Sequence, residues 1–277
     1  MKVAASDYDG TLLRGGKIDA ETKEGIARWR AAGHKFGVVS GRDYGMLVPQ
    51  LRAYGVEFDY TVCNNGGIIR GTDNAVRFQA EIAPRALTAI AAEPTAQKSF
   101  HFAFSAADTT YLCHHSEGSW IEREAKEWDF PITYIEESDI AGLTKIHQFS
   151  LGFPEPEQSN ACAEVLNAKL GDLIHAFPNA CSLDITPAGI SKDQGIHTLL
   201  SVMGWDGAEV FAIGDETNDL PMLKAAGTSV AMGNAFPEVK AEADCETLSC
   251  TENGLAAAIY TYVLGMGADA PVPMRRG

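Results

Sequence analysis

Two aspartates stand two positions apart near the start of the chain, directly after a short apolar run. The apolar residues 3–5 predict a buried strand, and Asp7, Asp9 and Gly10 follow it almost at once. Side chains alternate along a strand, so residues i and i+2 point the same way. Gly10 permits a sharp turn, because glycine accepts a positive φ. Neighbouring carboxylates repel each other unless a cation or a shared proton intervenes. The segment therefore predicts either a metal site or a nucleophile paired with an acid.

A second segment repeats this design later in the chain. The apolar residues 210–213 are followed by Gly214, Asp215 and Asp219. If a helix begins near Asp219, its side chain and that of Asp215 converge, and open α/β sheets bind ligands beyond the carboxyl ends of their strands. Carboxylates gathered at two such strand ends need a hard cation, and oxygen ligands favour Mg2+ over zinc, which prefers nitrogen and sulfur. The two segments together predict a magnesium site.

Four short motifs occur in the order typical of a known family. They are Asp7-x-Asp9-Gly10-Thr11, Val38-Val39-Ser40-Gly41-Arg42, Gly189-Ile190-Ser191-Lys192 and Gly214-Asp215-x-x-Asn218-Asp219. Two further segments also look like family segments, Cys63-Asn64-Asn65-Gly66-Gly67 and Val230-Ala231-Met232-Gly233-Asn234-Ala235. On these residues the chain, from about Lys2 to about Ile259, resembles the haloacid dehalogenase (HAD) superfamily of phosphohydrolases. Within it, the chain looks like the Cof-type sugar-phosphatase group, whose class IIB α/β cap lies between the second and third motifs.

The resemblance implies an α/β fold with a doubly wound, mainly parallel Rossmann-like sheet and an inserted α/β cap. We expect a HAD-like core at residues 1–82 and 187–277, and a cap at residues 83–186, since the sequence texture changes near Ala83-Pro84 and again at Pro187. Alternating segments such as residues 100–104 predict antiparallel cap strands with one face exposed to water.

Hydrophobic periodicity and turn residues predict the main elements. Helices are expected at 18–32, 43–54, 119–128, 158–170, 193–203, 219–226 and 254–264. Strands are expected at 36–40, 60–63, 145–153, 172–177, 181–185, 209–213 and 229–231, with a hairpin formed by 68–70 and 75–78. Pro49 should kink or interrupt the second helix.

The resemblance also implies residue roles. Asp7 would be the nucleophile, and Asp9 would act first as acid and then as base. The metal would be held by the Asp7 side chain, the Asp9 backbone carbonyl, Asp215 and Asp219. The phosphate would be bound by Ser40, Gly41, Lys192 and Asn218. Asn65, Asn218 and Arg42 would either touch substrate or brace loops. Two departures from the family pattern are Tyr8 between the aspartates and Asp193 where glycine usually follows the lysine.

Composition limits the partners and the location. The formal net charge of −15 argues against nucleic acid and anionic membranes, which need basic surfaces. No apolar stretch is long enough to span a membrane and no signal peptide is recognisable, so we expect a cytoplasmic protein. The six cysteines show no CxxC spacing and are expected to be reduced and structural.

Together these features predict a Mg2+-dependent phosphatase that hydrolyses a small phosphomonoester, such as a sugar phosphate, through an aspartyl-phosphate. A phosphotransferase or mutase uses the same chemistry with a hydroxyl acceptor. A receiver-like signalling domain also has an acidic cluster, a phosphorylated aspartate and a lysine, but it needs neither a cap nor a leaving-group acid. The partner would be a small phosphorylated metabolite, and the sequence names neither that substrate nor the oligomeric state.

Overall fold

The computed structural model describes residues 1–13, 15–114 and 119–265, in which two β-sheets form separate layers. Residues 266–277, which the sequence assigns to the core, lie outside the described residues. The predicted fold class, an α/β protein with a doubly wound sheet and a cap, is confirmed. No described helix is both long and apolar enough to cross a membrane.

The larger sheet has eight strands in the order β14-β13-β12-β1-β2-β3-β4-β5. Its strands are β1 (Lys2–Ser6), β2 (Lys35–Val39), β3 (Tyr60–Cys63), β4 (Ile68–Gly71), β5 (Val76–Gln79), β12 (Glu209–Gly214), β13 (Thr228–Ala231) and β14 (Cys245–Glu246). The pairing is parallel except at β3–β4 and β4–β5. The strand order reverses between β1 and β12, which is where open α/β sheets bind ligands.

Helices pack on this sheet and on each other. The helices of the chain are α1 (Ala20–Ala31), α2 (Tyr44–Ala53), α3 (Pro84–Ala91), α4 (Trp120–Glu127), α5 (Pro156–Leu170), α6 (Lys192–Val202), α7 (Leu220–Ala225), α8 (Pro237–Glu242) and α9 (Gly254–Ala258). In the core, α1 packs against α9 and α6 against α7. Fully buried side chains such as Val3, Phe36, Val38 and Ile213 form one continuous apolar cluster between these layers.

The smaller sheet has six strands in the order β10-β11-β9-β6-β7-β8. Its strands are β6 (His101–Ser105), β7 (Thr110–Cys113), β8 (Ile132–Tyr134), β9 (Gln148–Gly152), β10 (Ile174–Asn179) and β11 (Ser182–Pro187). All described pairings are antiparallel except β7–β8. Phe102, Phe104 and Phe149 lie in a second apolar cluster with residues of α3 and α5.

The expectation of one water-exposed face is wrong for β6, since all five of its residues are buried. Phe102 and Phe104 face the second cluster. Ala103 lies in a third cluster with Ile121 of α4 and Met46 of α2, which belongs to the core. The Ala103 face of β6 is therefore covered by α4 and α2 rather than by water.

The proposed boundaries at 82/83 and 186/187 fall close to where the chain passes between the sheets. Ile82 packs in the second cluster, and Pro187 is the last residue of β11 and pairs with Ile174 of β10, so both residues contact the cap. The division into a core of 1–82 and 187–277 and a cap of 83–186 stays our proposal.

Two of the expected helices differ in detail from the structure. Helix α2 is not interrupted at Pro49 but continues to Ala53, because Leu47, Val48 and Leu51 bury one face of it in the core. The predicted closing helix at 254–264 is α-helical only to Ala258 and continues as a π-helical turn over Ile259–Val263.

Candidate active site

Three carboxylates converge at the switch point between β1 and β12. Asp7 follows β1, Asp215 follows β12, and Asp219 ends a 3-10 turn just beyond it. One oxygen atom from each lies within 4.8 Å of the others, and all three residues are buried. The sequence predicted this convergence, because the carboxyl ends of adjacent parallel strands meet at one edge of the sheet.

Asp215 is fixed from two sides. Thr11 Oγ1 donates to Asp215 Oδ1 at 2.7 Å, and Asn234 Nδ2 donates to Asp215 Oδ2 at 3.1 Å and to the Gly10 carbonyl at 2.8 Å. Gly10 has φ +85°, and a Cβ there would lie 2.1 Å from Asp215 Oδ2. Glycine is thus needed both for the turn and for the close approach of the two motifs.

Asp219 and Asp7 share the Lys192 ammonium. Lys192 Nζ donates to Asp7 Oδ1 at 2.7 Å and to Asp219 Oδ1 at 2.5 Å, and the residue is 2% exposed. The other Asp219 oxygen, Oδ2, accepts the N–H groups of Asp215 at 2.9 Å and Glu216 at 3.1 Å. Lys192 is the first residue of α6, so the third motif contacts the first and fourth motifs through this side chain.

The electrostatics of the cluster favour a further cation. Burial raises the pKa of Asp7 well above its ordinary value, and Asp219 adds to this while Lys192 opposes it. Burial raises the pKa of Asp215 to about 7. For Lys192, burial lowers the pKa but the charges of Asp219 and Asp7 outweigh it, so the net shift is upward. One ammonium cannot balance three carboxylates, and their oxygen atoms fit a hard divalent ion.

Asp9 differs from Asp7 in its surroundings. The strand ends at Ser6, and the fully buried Tyr8 lies between the two aspartates. The Asp9 side chain is half-exposed and forms a bidentate ion pair with Arg42, with Nε–Oδ2 at 2.7 Å and Nη2–Oδ1 at 2.9 Å. Asp7 and Asp9 thus follow the strand rather than lying on it, and both line the same cavity.

Arg42 also reaches the cap. Its Nη1 donates to Glu124 Oε2 of α4 at 2.6 Å, and Gln50 Nε2 donates to the same Glu124 oxygen at 2.9 Å. Burial lowers the pKa of Arg42, but the charges and hydrogen bonds of Asp9 and Glu124 raise it above the ordinary value overall. Of the two roles left open by the sequence, these contacts make Arg42 a brace between Asp9 and the cap.

The predicted phosphate-binding residues divide into two groups. Ser40, Gly41 and Asn218 line a cavity that also exposes Asp7 and Asp9, whereas Lys192 does not line it and lies buried against Asp7. Ser40 Oγ accepts the Arg42 N–H at 3.1 Å. The Asn218 Oδ1 atom is buried without a hydrogen-bond partner among the described residues, so it is available to a ligand.

The cavity has a volume of about 230 Å³ and lies between core and cap. Met46, Ala103, Trp120 and Ile121 form an apolar wall. A polar wall consists of cap-sheet residues, namely Ser105, Gln148, Ser150, Asn179, Ser182 and Asp184. Half of the described lining residues therefore come from the predicted cap.

Sequence reasoning missed several residues of this cavity. Glu216 follows Asp215 directly, and this position was the one sequence signal that it belongs to the site. Burial raises the pKa of Glu216, and the charges of Asp219 and Asp9 raise it further. Gln148 and Ser150 lie on β9 and Asp184 lies on β11, and no spacing relates them to the motifs. Asn65 braces them, since its Nδ2 donates to Gln148 Oε1 and Asp184 Oδ2, each at 3.1 Å.

A family model described as haloacid dehalogenase-like hydrolase matches residues 4–259. The chain belongs to this family. The predicted recognition as a HAD-type, Cof-type phosphatase and the predicted enzyme class of phosphoric monoester hydrolase are confirmed.

Individual relatives of this haloacid dehalogenase-like hydrolase cover nearly the whole chain. The pyridoxal phosphate phosphatase YbhA of Escherichia coli K12 is 28% identical over 95% of this chain and 99% of its own length. The putative phosphatase YkrA of Bacillus subtilis 168 is 28% identical over 93% and 96%. A haloacid dehalogenase-like hydrolase structure from B. subtilis has a TM-score of 0.80 at 20% identity, covering 94% of this chain and 99% of its own. A HAD subclass IIB sugar phosphatase structure has a TM-score of 0.78 at 23% identity, covering 95% and 99%. These structures establish the shared fold.

Proposed function

We propose that this haloacid dehalogenase-like hydrolase is a Mg2+-dependent phosphatase that hydrolyses a small phosphomonoester, such as a sugar phosphate, through a phosphoaspartate. The observation that carries the proposal is the position of Asp7. Its carboxylate accepts a hydrogen bond from Lys192, has an oxygen within 4.8 Å of oxygens of Asp215 and Asp219, and lines the cavity that Asp9 also lines.

Asp7 would be the nucleophile. Its carboxylate oxygen would attack phosphorus while the bond from phosphorus to the leaving oxygen breaks. Lys192 would hold Asp7 in position and supply positive charge near the phosphoryl oxygens as charge shifts in the transition state. Ser40, the Gly41 backbone and Asn218 would donate hydrogen bonds to the same oxygens, because they line the cavity beside Asp7.

Asp9 would transfer protons to the leaving oxygen and from the attacking water. It would give a proton to the leaving oxygen in the first step and take one from the attacking water in the second, which regenerates Asp7 and releases phosphate. The bidentate contact with Arg42 fits the second role, since it fixes the orientation of the carboxylate. For the first role Asp9 must take up a proton and loosen this contact.

The metal would be held by the side chains of Asp7, Asp215 and Asp219 and by the Asp9 backbone carbonyl. When bound, Mg2+ would neutralise the phosphoryl oxygens and the surplus charge of the carboxylates. Thr11 and Asn234 would keep Asp215 in place for this contact. A small phosphorylated metabolite as partner follows from the same proposal, and the net charge of −15 argues against nucleic acid as a partner. We also propose a cytoplasmic location.

The test is phosphate release from a panel of phosphomonoesters. Activity should vanish with a chelator and return when Mg2+ is added in excess. Reaction in 18O-labelled water should place the label in inorganic phosphate, whereas a mutase would return unlabelled phosphate to a second hydroxyl group. Full turnover in metal-free buffer contradicts the metal, and absence of label in the product contradicts hydrolysis.

A further inference from the structure

The cavity beside Asp7 carries a one-sided charge. Five of its described lining residues are carboxylates: Asp7, Asp9, Asp43, Asp184 and Glu216. Arg42 is the one cationic side chain among the lining residues that the structure describes, and its guanidinium is already paired with Asp9 and Glu124. The phosphoryl group would have Lys192 and the proposed metal as counter-charges, but the organic part of the substrate has none.

Asp184 is the carboxylate placed for contact with that organic part. It lies on β11 in the polar wall of the cavity, and three donors fix its orientation. Ser150 Oγ donates to Asp184 Oδ1 at 2.7 Å, Gln148 Nε2 to the same oxygen at 3.2 Å, and Asn65 Nδ2 to Oδ2 at 3.1 Å. A carboxylate accepts about four hydrogen bonds, so Oδ2 keeps one acceptor position for a ligand.

The polar side chains near Asp184 already form hydrogen bonds within the protein. Gln148 Nε2 also donates to the Gly41 carbonyl at 3.0 Å, which links the wall to the phosphate-binding turn. Asp43 Oδ1 accepts from Asn64 at 2.8 Å and Oδ2 from Thr110 at 2.8 Å. Asp184 is thus prepared as an acceptor whose position is set by both core and cap.

We propose that the cavity selects phosphomonoesters whose organic part is uncharged or cationic and excludes those with a second anionic group. Asp184 accepts a hydrogen bond from a hydroxyl or N–H group of that organic part. This inference rests on the proposed phosphatase function and specifies its substrate class. Unpaired like charge at close range disfavours a ligand, and this repulsion is a common source of specificity. Met46, Trp120 and Ile121 also line the cavity and would contact the carbon skeleton.

Matched substrate pairs test the charge selection directly. Sorbitol 6-phosphate and 6-phosphogluconate are both open-chain and differ in a terminal hydroxymethyl against a carboxylate. Glycerol 3-phosphate and 3-phosphoglycerate form the shorter pair. We expect kcat/KM to be higher for the uncharged member of each pair by about tenfold or more, with 4-nitrophenyl phosphate as the measure of general phosphatase activity.

The variant Asp184→Asn tests the assignment of the residue. It keeps the size of the side chain and removes its charge, so the ratio of kcat/KM within each pair should fall by about fivefold or more. Asp172→Asn is the matched control, because Asp172 is an exposed cap aspartate away from the cavity, and it should leave the ratio unchanged. Thermal unfolding of each variant establishes that it is folded.

The outcomes separate this inference from the proposed function. Ratios near one in both pairs, with normal hydrolysis of 4-nitrophenyl phosphate, overturn the charge selection and leave the phosphatase standing. A wild-type ratio that survives in folded Asp184→Asn overturns the role of Asp184. No hydrolysis of any phosphomonoester overturns both.

Discussion

At the residue scale, Asp7 and Asp9 have the same side chain in opposite surroundings. Asp7 is buried against Lys192 and two other carboxylates, whereas Asp9 is half-exposed and held by Arg42. A buried carboxylate fixed beside an ammonium suits attack on phosphorus, and a more exposed one suits exchange of protons with a leaving group and water. The environments thus support different jobs for the two residues.

Replacement by asparagine separates these jobs. Asp7→Asn removes the nucleophile and should abolish turnover of every substrate. Asp9→Asn keeps the backbone carbonyl proposed to contact the metal, so with 4-nitrophenyl phosphate, whose leaving group needs little protonation, Asp7 should still be phosphorylated. The missing base should then slow the second step by about 100-fold or more. We expect a burst of nitrophenol and accumulation of phosphoenzyme in Asp9→Asn, measured by rapid quench.

A sugar phosphate should fail at the first step in the same variant, because its alkoxide leaving group needs the acid. Asp206→Asn, at an exposed aspartate of the core, is the control and should behave like the wild type. Normal steady turnover of both substrates by Asp9→Asn is incompatible with its role as acid and base.

The sequence anticipated the residues joined by strand topology and missed those joined by the inserted cap. Asp7, Asp215 and Asp219 follow adjacent strands, so their meeting was implied by the parallel sheet. Arg42 and Glu124 are 82 positions apart, and their contact depends on how α4 lies over the core. Such a contact has no periodic signature, because it depends on the docking of two separate layers.

At the element scale, α2 is a core helix that contacts the cap. Met46 enters the third apolar cluster with Ile121 and Phe130 of the cap. Gly45 allows this approach, since a Cβ at that position would lie 2.4 Å from the buried Phe130 ring. The sequence placed this helix correctly, but it gave no reason for glycine near its start, because that reason is a contact with the cap.

The substitution Gly45→Ala tests the contact. Alanine is favoured over glycine in a helix by about 1 kcal/mol, so an isolated helix would gain stability. Overpacking against a buried ring costs about 1–3 kcal/mol, and we therefore expect no net gain and a raised KM as the cap is displaced. Urea unfolding and steady-state kinetics measure the two effects.

The double variant with Phe130→Leu is the matched control. The smaller side chain makes room for the new methyl group, so Gly45→Ala should be less destabilising in that background than in the wild type. An equal effect of Gly45→Ala in both backgrounds would show that Phe130 does not limit the approach of the cap.

At the scale of the whole molecule, stability comes from two large apolar clusters, one under each sheet. Their elements follow from hydrophobic periodicity, which is why most strands and helices were predicted within a few residues. Helix α3 and the short elements α8, β8 and β14 were missed, and the last three have too few residues to show a period. Buried ionisable groups in these clusters make the stability depend on pH.

His101 of the cap is the clearest such group. It is 1% exposed, its ring lies edge-on to Phe100 with centroids 5.1 Å apart, and its Nδ1 atom has no hydrogen-bond partner among the described residues. Burial lowers the pKa of His101 to about 4. Between this value and the unfolded value of about 6.5 the unfolded chain binds more protons, so stability is lost as pH falls through this interval. Asp43 and Asp184 act in the opposite sense, because burial raises their pKa values and acid then favours the folded form.

The variant His101→Gln isolates the contribution of the histidine from these opposing groups. Glutamine does not titrate, so the variant should lose less stability than the wild type when the pH is lowered from 7.5 to 5. The difference should be about 2 kcal/mol in the free energy of unfolding, measured by urea unfolding at both pH values. A constant cost of the substitution at both pH values cancels from this difference. If wild type and variant lose the same amount of stability, His101 is already charged in the folded protein or reaches water, and its burial does not govern the acid sensitivity of the cap.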